Sequence, residues 1–80
     1  MKIKVLGPGC AKCDDTWERV KQALDELGFE AELTKITDVF EIIERGISLT
    51  PALIINGKII YQGKVPSTKE IKNILVEEKD

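Results

Sequence analysis

The sequence KIKVLGPGCAKC, residues 2–13, contains a change of pattern that predicts a strand followed by a helix. Lys2–Leu6 alternates polar and apolar residues, some of them β-branched, which is typical of a β-strand. Residues 7–9, Gly-Pro-Gly, form a turn sequence. The stretch therefore predicts a strand, a tight turn and a helix that begins close to two cysteines, Cys10 and Cys13.

The residues after the cysteines predict a helix with one buried face. Trp17, Val20, Leu24 and Leu27 fall at helical intervals, so we expect them to point toward a core. Gly28 stands where a glycine commonly ends a helix. The first helix is therefore expected to end just before Gly28.

The middle of the chain predicts a short second strand at residues 29–36 and then a second helix. Asp38 with Glu41 three residues later matches a capping box, and Thr37 is the alternative cap. We expect the buried side of this helix to consist of Val39, Phe40, Ile42 and Ile43.

The last third of the chain predicts a β-hairpin and a final helix. Ala52–Ile55 and Lys58–Gln62 are two strand sequences joined by Asn-Gly at positions 56–57, a strong hairpin signal. Ser67 and Glu70 form a second capping box at the start of the final helix. The predicted order is β-α-β-α-β-β-α, an α/β architecture with a four-stranded mixed sheet and helices on both faces.

Length and composition exclude several classes of protein. The chain has 80 residues and a formal net charge of -2, which favours neither nucleic acid nor an acidic membrane surface as a partner. The N-terminal apolar run is too short for a signal peptide, and no stretch has the length of a membrane span. We expect one domain over residues 1–80, located in the cytoplasm, where thiols are mostly reduced.

The cysteine pair is the strongest functional signal in the sequence. A bridge between Cys10 and Cys13 closes so short a loop that it would stabilise the fold by only about 2 kcal/mol. The sequence has no histidine, which excludes Cys-His catalysis and the usual zinc-finger ligand sets. A C-x-x-C motif between a strand and a helix favours redox chemistry over two small side chains that only fill space.

The predicted positions of the two thiols differ in a way that suits disulfide exchange. Cys10 begins the helix, where unpaired N–H groups, the helix dipole and Lys12 favour the nucleophilic thiolate. Asp14 and Asp15 oppose this effect in part. Cys13 lies one turn further on and should face the sheet. Cys10 would attack a substrate disulfide, and Cys13 would then attack Cys10 and release the reduced substrate.

Pro51 lies between Thr50 and a buried strand and has two interpretations. A proline at the first position of a strand is common, because its missing N–H costs nothing there. Alternatively, the bond from Thr50 to Pro51 is cis and is turned toward the cysteines. Because cis bonds are a small minority of X-Pro bonds, the residues alone favour the ordinary strand-start proline.

Three segments of the chain together resemble the thioredoxin superfamily, in particular its small bacterial and archaeal branch of redox-active disulfide proteins. They are residues 5–13 (VLGPGCAKC), 50–58 (TPALIINGK) and 63–67 (GKVPS). The resemblance implies a thioredoxin fold, with Cys10 as nucleophile and Cys13 as resolving thiol. It also implies that Pro51 is cis and that the backbone of Thr50 pairs with the substrate.

The resemblance also implies further contacts and partners. Gly63 matches part of the Gly-Gly near the last helix of glutaredoxins and is a candidate substrate contact. Lys12, between the two cysteines, is either a second substrate contact or a solvated side chain. The expected partners are disulfide-containing proteins and an electron donor of the thioredoxin reductase type. We expect a monomer that needs no cofactor beyond the disulfide between Cys10 and Cys13, and no metal.

Two other functions remain open from the sequence. A C-x-x-C after a first strand also binds copper(I) or zinc in small ferredoxin-like domains, which would make the chain a soft-metal carrier. Those domains have the order βαββαβ and end in a strand, whereas this chain is predicted to end in a helix. A non-catalytic interaction module on the same fold is the third possibility.

Overall fold

The computed structural model describes residues 1–9 and 11–78, which form seven elements in the predicted β-α-β-α-β-β-α order. The elements are β1 (Lys2–Leu6), α1 (Ala11–Leu27), β2 (Glu32–Ile36), α2 (Val39–Glu44), β3 (Ala52–Ile55), β4 (Lys58–Gln62) and α3 (Thr68–Glu78). Because α3 follows β4, the order differs from the βαββαβ arrangement of the metal-carrier alternative.

The four strands form one mixed sheet in the order β2-β1-β3-β4. β1 pairs in parallel with β2 and antiparallel with β3, and the β3–β4 hairpin is antiparallel. Leu6 at the end of β1 lies opposite Ala52 at the start of β3. The chain therefore leaves β1 and enters β3 at the same edge of the sheet.

Alternation along the strands places a hydrophobic cluster on each face of the sheet. On one face, Val5 and Leu53 pack with the buried sides of α1 and α3. On the other face, Leu6 and Ile54 pack with Ile42 of α2. The expected mixed sheet with helices on both faces is confirmed.

The second strand begins later than the sequence predicts. It starts at Glu32 rather than at position 29 because Phe29 belongs to the end of α1. The Phe29 N–H donates to the Leu24 carbonyl at 3.1 Å, and the Gly28 N–H donates to the Asp25 carbonyl at 3.2 Å. These two bonds form a Schellman motif, in which Gly28 takes the left-handed conformation at φ 67°.

The buried side of α2 is narrower than predicted. Asp38 caps this helix, as expected, by accepting hydrogen bonds from the N–H groups of Phe40 and Glu41. Ile42 alone of the four apolar side chains is buried. Val39, Phe40 and Ile43 are 51%, 79% and 62% exposed, so the prediction was wrong for these three residues.

The other local predictions for this half of the chain are confirmed. Asn56 and Gly57 both have positive φ, 51° and 84°, as a two-residue hairpin turn requires. Ser67 and Glu70 form the predicted reciprocal capping box, with bonds of 3.1 and 3.3 Å. Within the described residues, no helix combines the length and the apolar character needed to cross a membrane.

Candidate functional site

Cys13 lies in the first turn of α1 with its side chain directed at the sheet. It is only 3% exposed and shares the buried face of the helix with Thr16, Val20 and Ala23. This position confirms the expectation that the second cysteine faces inward. Cys10 lies outside the described residues, so its exposure and acidity remain predictions.

Gly7 forms the wall against which the Cys13 sulfur packs. A Cβ added at Gly7 would overlap the Cys13 Sγ, and it would lie 3.0 Å from the Cys13 Cβ and 3.9 Å from the Pro51 Cα. The Gly7 N–H donates to the Ile36 carbonyl at 2.9 Å, which extends the β1–β2 ladder and fixes this backbone. Cys13 and Pro51 therefore both lie close to the space that a side chain at position 7 would occupy.

The bond between Thr50 and Pro51 is cis. The conformation implied by the resemblance is thus present, and the ordinary strand-start interpretation, which the residues alone favoured, is wrong. Pro51 is buried and Thr50 is half-buried. In the part of the chain that the structure describes, no backbone hydrogen bond involves Thr50, so its N–H and carbonyl can pair with another chain.

Gly63 lies next to the proline, at the end of β4. Its N–H donates to the Pro51 carbonyl at 2.9 Å. A Cβ added at Gly63 would lie 3.1 Å from the Cβ and the Cδ1 of Leu49, so the Leu49 side chain packs over this glycine. The structure thereby joins Gly63 to the loop that contains Thr50 and Pro51.

Lys12 has a different environment from the other predicted site residues. Its side chain is exposed, and its carbonyl accepts a hydrogen bond from the Thr16 hydroxyl at 2.9 Å. The described contacts do not link Lys12 to Thr50, Pro51 or Gly63. Its role as a substrate contact therefore stays a prediction.

An apolar cleft of about 230 Å³ borders the cis-proline loop. Its lining contains no charged side chain: Pro8, Val39, Ile42, Ile43, Ile47, Ser48 and Thr50. The exposed side chains of Val39 and Ile43, predicted to be core, form part of this lining. Only one of the four apolar side chains of this helix is buried, so the apolar excess of its sequence was the available signal for the cleft.

A charge cluster beside Cys13 modifies the electrostatics expected from the sequence. Asp14 was expected to oppose a thiolate, but Lys35 lies 3.7 Å from its carboxylate. The Lys35 ammonium also lies 4.9 Å from the centre of the Trp17 ring. Because Lys35 is 21 positions away from Asp14 in the chain, its contact with Asp14 depends on the position of β2 in the sheet and was not visible in the motif.

A second polar cluster anchors the loop between β4 and α3. Glu70 accepts a hydrogen bond from the Tyr61 hydroxyl at 2.8 Å, and Lys64 lies 3.8 Å from the same carboxylate. The bond from Tyr61, followed by those from Ser67, holds the pKa of Glu70 below its usual range. Desolvation, followed by the interaction with Glu70, raises the pKa of Tyr61.

The described residues contain no group of three or more His, Cys, Asp or Glu side chains that could hold a metal ion. Near the cis-proline, the described residues bring together a buried cysteine, the Thr50 backbone and an apolar cleft. The element order is β-α-β-α-β-β-α, and a cysteine in the first turn of α1 lies close to a cis-proline loop. These features together define the class of proteins with the thioredoxin fold.

Comparison with known proteins assigns the family. A family model described as "Thioredoxin domain" matches residues 1–76. A protein named thioredoxin from Methanocaldococcus jannaschii is 47% identical over 73 residues, which cover 91% of this chain and 84% of that protein. A thioredoxin from Methanothermobacter thermautotrophicus is 40% identical over 75 residues, covering 94% and 97%. The chain belongs to the thioredoxin superfamily.

Proposed function

We propose that this protein is a dithiol–disulfide oxidoreductase that reduces disulfides through Cys10 and Cys13. The Cys10 thiolate attacks a substrate disulfide, forms a mixed disulfide and releases one substrate thiolate. Cys13 then loses its proton and attacks the Cys10 sulfur, which releases the second substrate thiolate. Two electrons pass to the substrate, and the protein is left with a Cys10–Cys13 disulfide.

The observation that carries this proposal is the position of Cys13, which is buried in the first turn of α1 with its sulfur against Gly7, the residue that follows β1. A thiol that is 3% exposed cannot easily attack a disulfide on another protein. It is suited instead to attack the sulfur of Cys10, three positions earlier in the same chain. Burial therefore suits Cys13 to the resolving step and leaves the first attack to Cys10.

The surroundings of Thr50 support a protein as the substrate. The open N–H and carbonyl of Thr50 can pair with an extended chain, as an unpaired strand edge does. The cleft beside Thr50 is apolar and smaller than a pocket for a drug-sized molecule, which suits a side chain of that extended segment. An electron donor of the thioredoxin reductase type would return the Cys10–Cys13 disulfide to the dithiol.

The proposal is tested by reduction of insulin in the presence of dithiothreitol. We expect the wild-type protein to accelerate insulin precipitation and Cys10→Ser to lose this activity. Cys13→Ser should retain the first attack and hold substrate proteins on Cys10 as mixed disulfides, which mass spectrometry would identify. Undiminished activity of Cys10→Ser would contradict the proposal. Submicromolar copper(I) binding without any disulfide exchange would instead support the metal-carrier alternative.

A further inference from the structure

The loop that precedes the cis-proline is tied to the end of β4 at two hydrogen bonds and one packing contact. The side-chain oxygen of Gln62 accepts a hydrogen bond from the Ser48 N–H at 3.1 Å. The Gly63 N–H donates to the Pro51 carbonyl at 2.9 Å, and Leu49 packs over Gly63. Both ends of the short segment 48–51 are thereby fixed to adjacent residues, the last residue of β4 and the one that follows it.

The two hydrogen bonds differ in whether they require a particular side chain. The bond from Gly63 to Pro51 joins two backbone groups, so no side chain supplies its donor or its acceptor. The bond from Ser48 needs an acceptor on the side chain of residue 62, so it depends on the identity of that residue. Leu49 is 59% exposed and contributes only its contact with Gly63. Among the described contacts, Gln62 is therefore the side chain of β4 that fixes the start of the segment.

The position of Thr50 depends on these attachments. Within the described residues its backbone makes no hydrogen bond, so its N–H and carbonyl are oriented by the residues on either side. If Ser48 is released, the segment loses its attachment at the start and keeps the contact of Leu49 with Gly63 and the hydrogen bond at Pro51, so the backbone before Thr50 gains rotational freedom. A substrate chain that pairs with Thr50 must then order this segment when it binds, at a cost in affinity.

We propose that Gln62 is a positioning residue, whose side-chain oxygen holds Ser48 and so presents the Thr50 backbone to the substrate. This inference rests on the proposed function. It assigns to Gln62 a role in substrate affinity and none in the chemistry of the thiols. Loss of one hydrogen bond of this kind should raise the KM for a protein disulfide about fivefold, which equals about 1 kcal/mol.

The test distinguishes the effect of losing the oxygen acceptor at position 62 from the effect of changing the size of that side chain. Gln62→Met keeps the length but has no oxygen, and we expect a KM about fivefold higher with unchanged kcat. Gln62→Glu keeps an oxygen acceptor and should retain the wild-type KM. The matched control is Gln22→Met, since Gln22 is an exposed residue of α1 whose amide donates to Glu26. This control should leave both constants unchanged.

Two further measurements distinguish this inference from the proposed function. Amide hydrogen exchange at Ser48 should be faster in Gln62→Met than in the wild type or Gln62→Glu, whether or not any substrate is reduced. The rate of alkylation of Cys10 by iodoacetamide should be the same in all variants. Equal KM values for Gln62→Met, Gln62→Glu and the wild-type protein would overturn the inference. An equal rise in KM in both variants would also overturn it, as would a changed rate of Cys10 alkylation. A wild-type protein that protects Ser48 but reduces no disulfide would overturn the proposed function instead.

Discussion

The substitution Gly7→Ala tests whether the backbone of residue 7 sets the position of the Cys13 sulfur. Gly7 does not have a positive φ, so an alanine there meets no backbone strain. The added methyl group would nevertheless overlap the Cys13 Sγ, and the Cys13 Cβ and the Pro51 Cα are also close. The effect of this substitution is therefore steric and is directed mainly at one atom.

The expected magnitude follows from two opposing contributions. Replacing glycine by alanine where the backbone allows it stabilises a protein by about 0.4–1 kcal/mol, because the unfolded chain loses freedom. Forcing an extra methyl group into a packed site costs about 1–3 kcal/mol. The difference between the two contributions is a net loss of about 0–2.6 kcal/mol in the free energy of unfolding. For a chain of this size, each kcal/mol lowers Tm by about 4–8 °C.

A double-mutant cycle with Cys13→Ala isolates the contact. Urea unfolding is followed by the fluorescence of Trp17, the single tryptophan, with excess reductant so that every variant carries thiols. Removing the sulfur removes most of the overlap, so Gly7→Ala should cost at least about 1 kcal/mol less in the Cys13→Ala background. Equal destabilisation in both backgrounds would refute the reasoning.

Two further predictions concern stability away from the cysteines. Leu75→Ala, at a side chain that is 0% exposed, should lower the free energy of unfolding by about 2–5 kcal/mol, whereas Val76→Ala, at a side chain 56% exposed, should change it by less than about 0.5 kcal/mol; similar effects in urea denaturation would contradict the assigned helix face. The pKa of Glu70 in the folded protein lies below its ordinary value of 4.5, chiefly through Tyr61, so its contribution to stability is present above that value and is lost as the pH falls through the lowered pKa. Glu70→Gln cannot titrate and should therefore lose less stability than the wild type between neutral pH and about pH 3; an equal loss by both proteins in urea titrations would show that Glu70 does not contribute in this way.

Local signals in the sequence were sufficient for most of the fold. The Asn-Gly turn and the Ser67–Glu70 capping box depend on residues within a few positions of one another, and both are present as predicted. The start of β2 was misplaced because Phe29, an apolar residue with high strand propensity, donates its N–H to Leu24 and completes the cap of α1. A backbone bond across a helix end outweighed the preference of the side chain.

The parts of the site that could not be predicted depend on contacts between distant segments. Nothing adjacent to Gly7 in the sequence indicates that a sulfur from α1 fills the space where its side chain would be. In the same way, the bond between Ser48 and Gln62 spans 14 positions and depends on the register of the hairpin. The cis bond at Pro51 was implied by resemblance to a family, and the residues alone favoured the opposite conformation.

The pairing of Leu6 with Ala52 has a consequence for how this protein tolerates mutation. Sliding one of these strands past the other by a single residue would turn each of its side chains to the opposite face, so burial of the aliphatic residues enforces the alignment. The same alignment sets the distance between Gly7, which follows Leu6, and Pro51, which precedes Ala52. Weakening the interior should therefore reduce the number of folded, competent molecules and leave the geometry of each remaining one intact.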